Sequence, residues 1–163
     1  MLRRFLKKGQ EGFTIIEVMI VLAIAGLIMV VVLVAIPQLQ KNQRNEARRN
    51  VAARISAEVN NYIGNNGGAI PTEDANASTG FTGGFQTRYI TNAPVGTFNK
   101  PGGGAFTYGL YVEATPTMAQ DDIKYSAGAI CLGEAATNTG ATARNFALLV
   151  GLEGGAIFCV DNE

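Results

Sequence analysis

Gly12-Phe13-Thr14-Ile15-Ile16-Glu17-Val18 opens an apolar run in which Glu17 is the only charged side chain between Phe13 and Ile36. The run is 24 residues long. As a helix rising roughly 1.5 Å per residue it reaches about 36 Å, enough to cross a bilayer. A charged group inserted at a helix centre costs roughly 2.5–3.5 kcal/mol on insertion scales, so Glu17 needs a partner. Upstream, Arg3, Arg4, Lys7 and Lys8 form a basic leader, which the positive-inside bias holds in the cytoplasm. Everything after Pro37 then faces outward. A secretory signal peptide has a shorter apolar region and a small-x-small cleavage site at its far end. Pro37-Gln38-Leu39-Gln40 is no such site. Cutting instead at the Gly12–Phe13 bond leaves the apolar run on the chain and creates a positive amine four residues before Glu17. A helix brings positions i and i+4 onto one face. The carboxylate would then pair with its own amine or with that of an adjacent copy.

A basic leader, Gly-Phe-Thr-x-x-Glu-Val and an unbroken apolar stretch together resemble the N-terminus of bacterial type IV pilins and pseudopilins. The resemblance covers about the first third of the chain. It implies that a prepilin peptidase cuts after Gly12 and that Phe13, the first mature residue, is N-methylated. It places Glu17 at the family's acidic position, which serves assembly. It also implies the pilin fold, an α+β arrangement of a long N-terminal hydrophobic and amphipathic helix packed on a C-terminal antiparallel β-sheet. The implied partners are further copies in a helical filament, the peptidase, and an assembly platform with its ATPase. The precursor would sit in the inner membrane with its head outward, and the product on the cell surface. No cofactor, catalytic residue or metal site is implied.

The rod expected from the sequence continues past the apolar run. Val51, Ala52, Ile55, Val59, Tyr62 and Ile63 recur at helical spacing. Arg44, Glu46, Arg48, Arg49, Arg54 and Glu58 occupy the face assigned to solvent, lipid headgroups or neighbouring subunits. Gly64-Asn65-Asn66-Gly67-Gly68 stops the helix. Within it, Gly26 lowers helix stability by about 1 kcal/mol relative to alanine, and Pro37 lacks an N–H and is expected to kink or loosen the turn. Some type IV pilins loosen between a glycine and a proline here, and Gly26 and Pro37 hold similar positions. The resulting division is a leader over 1–12, a transmembrane or filament-core helix over 13–36, an amphipathic continuation over 37–64, and a globular head over 65–163.

In the head, residues 65–84 read as an irregular connecting loop. Strands are expected at 86–90, 105–112, 123–131, 146–152 and 156–160, each bounded by glycine or proline. Phe106, Tyr108, Leu110 and Val112 alternate as on a half-buried strand, and Leu152-Glu153-Gly154-Gly155-Ala156 reads as a tight hairpin turn. Cys131 and Cys159 read as a disulfide or as two buried thiols. The resemblance favours the disulfide, since many type IV pilins close a C-terminal loop in this way.

The chain of 163 residues has no formal net charge, but the leader carries four basic side chains and one acidic. Nine basic and twelve acidic side chains follow Gly12, no footprint for nucleic-acid binding, which wants a basic stripe. There is no histidine, which removes Ser-His-Asp and Cys-His chemistry. Gly102-Gly103-Gly104 lacks the Lys-Ser/Thr of a phosphate loop. Asp121, Asp122, Glu153, Asp161 and Glu163 are oxygen donors for calcium by type, but their spacing fits a solvated acidic surface better. Asn76-Ala77-Ser78 matches a glycosylation sequon, a tripeptide that arises often by chance.

These readings converge on the major subunit of a type IV pilus. A secretion pseudopilin or minor pilin shares the same N-terminal motif. A monomeric anchored module binding DNA or a surface glycan is the reading from another class. Adhesion, motility, DNA uptake and secretion all use this N-terminus.

Overall fold

The computed structural model describes residues 12–72, 83–91, 98–111 and 118–162. The leader apart from Gly12, residues 73–82 (half of the 65–84 loop, with the sequon at 76–78), Val112 and Glu163 lie outside them. Two compact units divide the chain after Gln40. Helix α1 (Ile15–Asn65) contributes to both and is unbroken through Gly26 and Pro37. The carbonyl of Leu33, four residues before Pro37, has no backbone donor within the helix there.

The second unit is built around strand β5 (Phe146–Gly151), all six residues of which are buried. Its side chains alternate between faces, as any strand's must. Phe146, Leu148 and Val150 pack with Ile123, Tyr125 and the α1 stripe Val51, Ala52, Ile55 and Val59. Ala147 and Leu149 point the other way, into a smaller cluster with Tyr111, Ala129 and Ala136. The small residues there let a hairpin approach closely. That hairpin is β3 (Ile130–Leu132) and β4 (Ala135–Thr137), joined through Gly133 and Glu134. The head is thus helix, sheet and hairpin in three layers.

The sheet runs β1 (Thr107–Leu110), β2 (Asp122–Ala127), β5, β6 (Ile157–Asp161). It is antiparallel-rich, in line with the expectation, with one exception: β1 pairs parallel with β2, with Thr107 opposite Asp122. Parallel neighbours need a crossover connection and not a tight turn. The expected strand at 123–131 is two elements, β2 and β3, separated by a turn at Gly128. Between β5 and β6 the expected hairpin turn forms, closed by Leu152 N–H donating to the Ala156 carbonyl at 2.8 Å. Gly154 and Gly155 sit there at φ 99° and 86°, which other residues reach only with strain.

The expected strand at 86–90 is instead helical. A turn at Gly83–Phe85 runs into a π-helical segment, Gln86–Thr91. Phe85 and Tyr89 stack at 5.3 Å between ring centroids, and both meet the edge of Tyr62 on α1. A helical turn places both rings against Tyr62, and this contact outweighs the β propensity of Thr87, Tyr89 and Ile90.

Gly151 shows how tightly β5 is enclosed. A Cβ built there runs into the carbonyl of Ala119, while its own carbonyl accepts from the N–H of Asp121 at 3.2 Å. Gly151→Ala is expected to cost on the order of 1–3 kcal/mol, the usual range for overpacking. Urea denaturation of the full chain in detergent measures it, and an unchanged midpoint would contradict the packing described.

Candidate functional site

The first unit holds the residues that the sequence singles out. Gly12, Phe13 and Thr14 precede the helix, and Phe13 is 89% exposed. Thr14 is the N-cap of α1. Its backbone N–H and hydroxyl both donate to Glu17 Oε2, at 2.9 and 2.8 Å, and its hydroxyl accepts from Glu17 N–H at 3.3 Å. This is a reciprocal capping box, which satisfies donors that a helix start otherwise leaves open. Thr-x-x-Glu before an apolar run is its sequence signature, and that signal identifies Thr14, which the reading by charge alone passed over. Phe13 lies outside the helix, and in the uncut chain its nitrogen is a peptide amide and not the free amine that the expected pairing requires. In the uncut chain the carboxylate is held by Thr14.

From Phe13 to Ile36 the large apolar side chains stay exposed, from 44% at Val32 upward. The helix is long and apolar enough to cross a membrane. Exposed apolar surface of this extent marks a segment that lipid or other protein covers. The Gly12–Phe13 bond ahead of the helix, a capped carboxylate and a continuous apolar cylinder therefore lie together. Gly26 and Pro37 lie within α1, and nothing within 4 Å stands where a Cβ on Gly26 would go.

In the head, Cys131 on β3 and Cys159 on β6 form a disulfide, with Cα atoms 5.8 Å apart. Four of the carboxylates offered as calcium ligands have other work, and the fifth, Glu163, lies outside the described residues. Asp161 accepts from the Cys131 N–H at 2.6 Å, and Asp122 from the Ala119 N–H at 3.0 Å. Asp121, held at φ 66°, accepts from Arg48 Nε at 2.7 Å. Glu153 receives two bonds from Arg44, each 2.8 Å, while its backbone exchanges bonds with the Asn45 side chain. No group of three or more potential metal ligands occurs among the described residues.

Arg48 does not lie on a solvated face: its side chain is 1% exposed. Glu58 is buried as well. Of the proposed outer face, Arg49 and Glu46 are exposed and pair with each other at 2.6 Å. Arg44, with Asn45 and Arg48, fastens the β5–β6 turn to the helix. The Arg44 guanidinium holds the Glu153 carboxyl below its ordinary range. A depressed folded-state value stabilises the head above the unfolded glutamate value of about 4.3, and that contribution fades as pH falls through the folded one. Arg44→Gln is therefore expected to lower the thermal midpoint at neutral pH and to flatten its acid dependence below pH about 4.3. Parallel acid profiles for the two proteins would contradict it.

Residues 7–33 match the family model described as the prokaryotic N-terminal methylation motif, the signature of the type IV pilin class. The match supports a type IV pilin-like or pseudopilin precursor. No curated protein and no solved structure matches the chain.

Proposed function

We propose that the chain is the major subunit of a type IV pilus, cut after Gly12, N-methylated at Phe13 and polymerised through residues 13–36. The observation that carries this is the capped Glu17 at the head of an exposed apolar helix directly after the cleavage motif. The precursor rests in the inner membrane, head outward. On assembly the apolar cylinder passes from lipid to the company of other copies. Lipid tails are as apolar as leucine, so packing and polar pairing, not hydrophobic gain, set the specificity. Glu17 then accepts the Phe13 amine of a neighbour, which penalises a subunit at the wrong height. The helix loosens between Gly26 and Pro37 where neighbours require it. The Cys131–Cys159 disulfide supports an exported head, which meets oxidising surroundings.

Filaments sheared from cells and weighed intact test this. The expected chain begins at N-methylated Phe13 and is two hydrogens light for the disulfide. A processed chain confined to the membrane fraction would favour a pseudopilin or minor subunit, and an uncut Met1 would overturn the assignment.

A further inference from the structure

A pocket of about 270 Å³ opens on the head between the π-helical segment, the loop before β1 and β1 itself. Ligand pockets usually span about 300–1,000 Å³, so this one takes a single ring and no extended chain. Its walls divide by chemistry. Phe98, Phe106 and Tyr108 supply aromatic surface, while Gln86, Asn99 and Thr91 supply amides and a hydroxyl. No lining side chain is charged, so the pocket favours neither an anion nor a cation. The loop wall is fixed by a bridge between Asn99 and Ala105 and by Lys100 N–H donating to the Gly104 carbonyl at 3.0 Å.

One polar group here is left over by the fold, and a phenol lines the pocket beside it. The Gln86 carboxamide oxygen is buried without a hydrogen-bond partner. A buried acceptor in that state costs about 1–3 kcal/mol, and native structures keep few of them. The two ends of a carboxamide have nearly the same shape, so half a turn about its last torsion presents oxygen or nitrogen to the pocket. Tyr108 lines the same pocket, and burial pushes its phenol up to about 12. It therefore stays a protonated donor at any physiological pH. Gln86 comes from a π-helical segment, and departures of this kind from α-helix are frequent at functional sites.

We propose that this pocket binds one neutral sugar ring. A pyranose has an apolar C–H face to lie against the aromatic wall and a rim of hydroxyls that both donate and accept. The rim answers the Gln86 amide and the Tyr108 hydroxyl together, which a purely apolar or a charged ligand does not. All the lining residues belong to the second unit.

The test titrates the full chain, ¹⁵N-labelled in a detergent without sugar headgroups, with glucose, galactose, N-acetylglucosamine, N-acetylgalactosamine and sialic acid. Amide shifts confined to the pocket are expected for at least one neutral sugar, with millimolar affinity, and none for sialic acid. Tyr108→Phe and Gln86→Leu keep size and are each expected to weaken binding roughly tenfold while leaving shifts elsewhere unchanged. No pocket shifts with any neutral sugar would overturn the proposal. So would equal binding of sialic acid, or neutral-sugar binding untouched in both folded variants.

Discussion

Arg48→Ala is expected to destabilise the head by about 3–5 kcal/mol, the cost of breaking a buried ion pair from one side. Arg48 is almost wholly enclosed, with Asp121 at 2.7 Å, Glu153 at 3.7 Å and Asn45 at 3.2 Å. Removing the guanidinium strands Asp121, which is itself only 15% exposed. It also opens a void beside the start of the apolar stripe on α1. Chemical denaturation of the full chain in detergent measures the loss. Arg48→Met combined with Asp121→Asn removes both charges, fills most of the space and keeps a residue type that tolerates the positive φ of Asp121. It should recover much of the stability, because a buried pair replaced as a whole is often close to neutral. A loss below about 1 kcal/mol for the single variant would place the pair among surface bridges and contradict the burial described.

Glu17→Ala is expected to abolish filaments while leaving membrane insertion intact. The residue has two roles that separate by substitution. As the third residue of the helix it caps Thr14, and glutamine serves a capping box as well as glutamate does. In the proposed filament its charge meets the amine of a neighbouring Phe13, and glutamine would not. An amine left unpaired among apolar helices costs about 3–5 kcal/mol per subunit, enough to empty the filament. Glu17→Gln should therefore keep the helix start and still fail to assemble. Sheared-filament yield against the membrane-bound pool is the readout. Normal filaments from Glu17→Gln would leave capping as the residue's only task and remove charge pairing from the assembly step.

Much of this architecture is legible locally. An apolar run without interruption leaves only one place for α1, and Phe146-Ala147-Leu148-Leu149-Val150 leaves little choice for β5. Gly154-Gly155 marks the turn that follows. What sequence reading misplaces depends on contacts between distant segments. Arg44 and Arg48 continue the stripe of Val51, Ala52, Ile55 and Val59 at steps of three and four, so spacing puts them on the core side. Charge argues for solvent, and only Asp121 and Glu153, far along the chain, decide for burial. The parallel pairing of β1 and the helical form of 86–90 depend likewise on β2 and on Tyr62. At the N-terminus the motif residues are contiguous and legible at once, yet the role of Thr14 emerges only when Thr-x-x-Glu is read as a cap. The Gln86–Tyr108 pocket has no local signature, because its walls come from three separate stretches.

Since helix and hairpin seal β5 from both sides, the strand has no side on which a change is neutral. A polar residue at any of its six positions meets apolar neighbours on one layer or the other. Evolutionary drift in such a head is pushed outward, to turns and connecting loops whose backbone the core does not constrain.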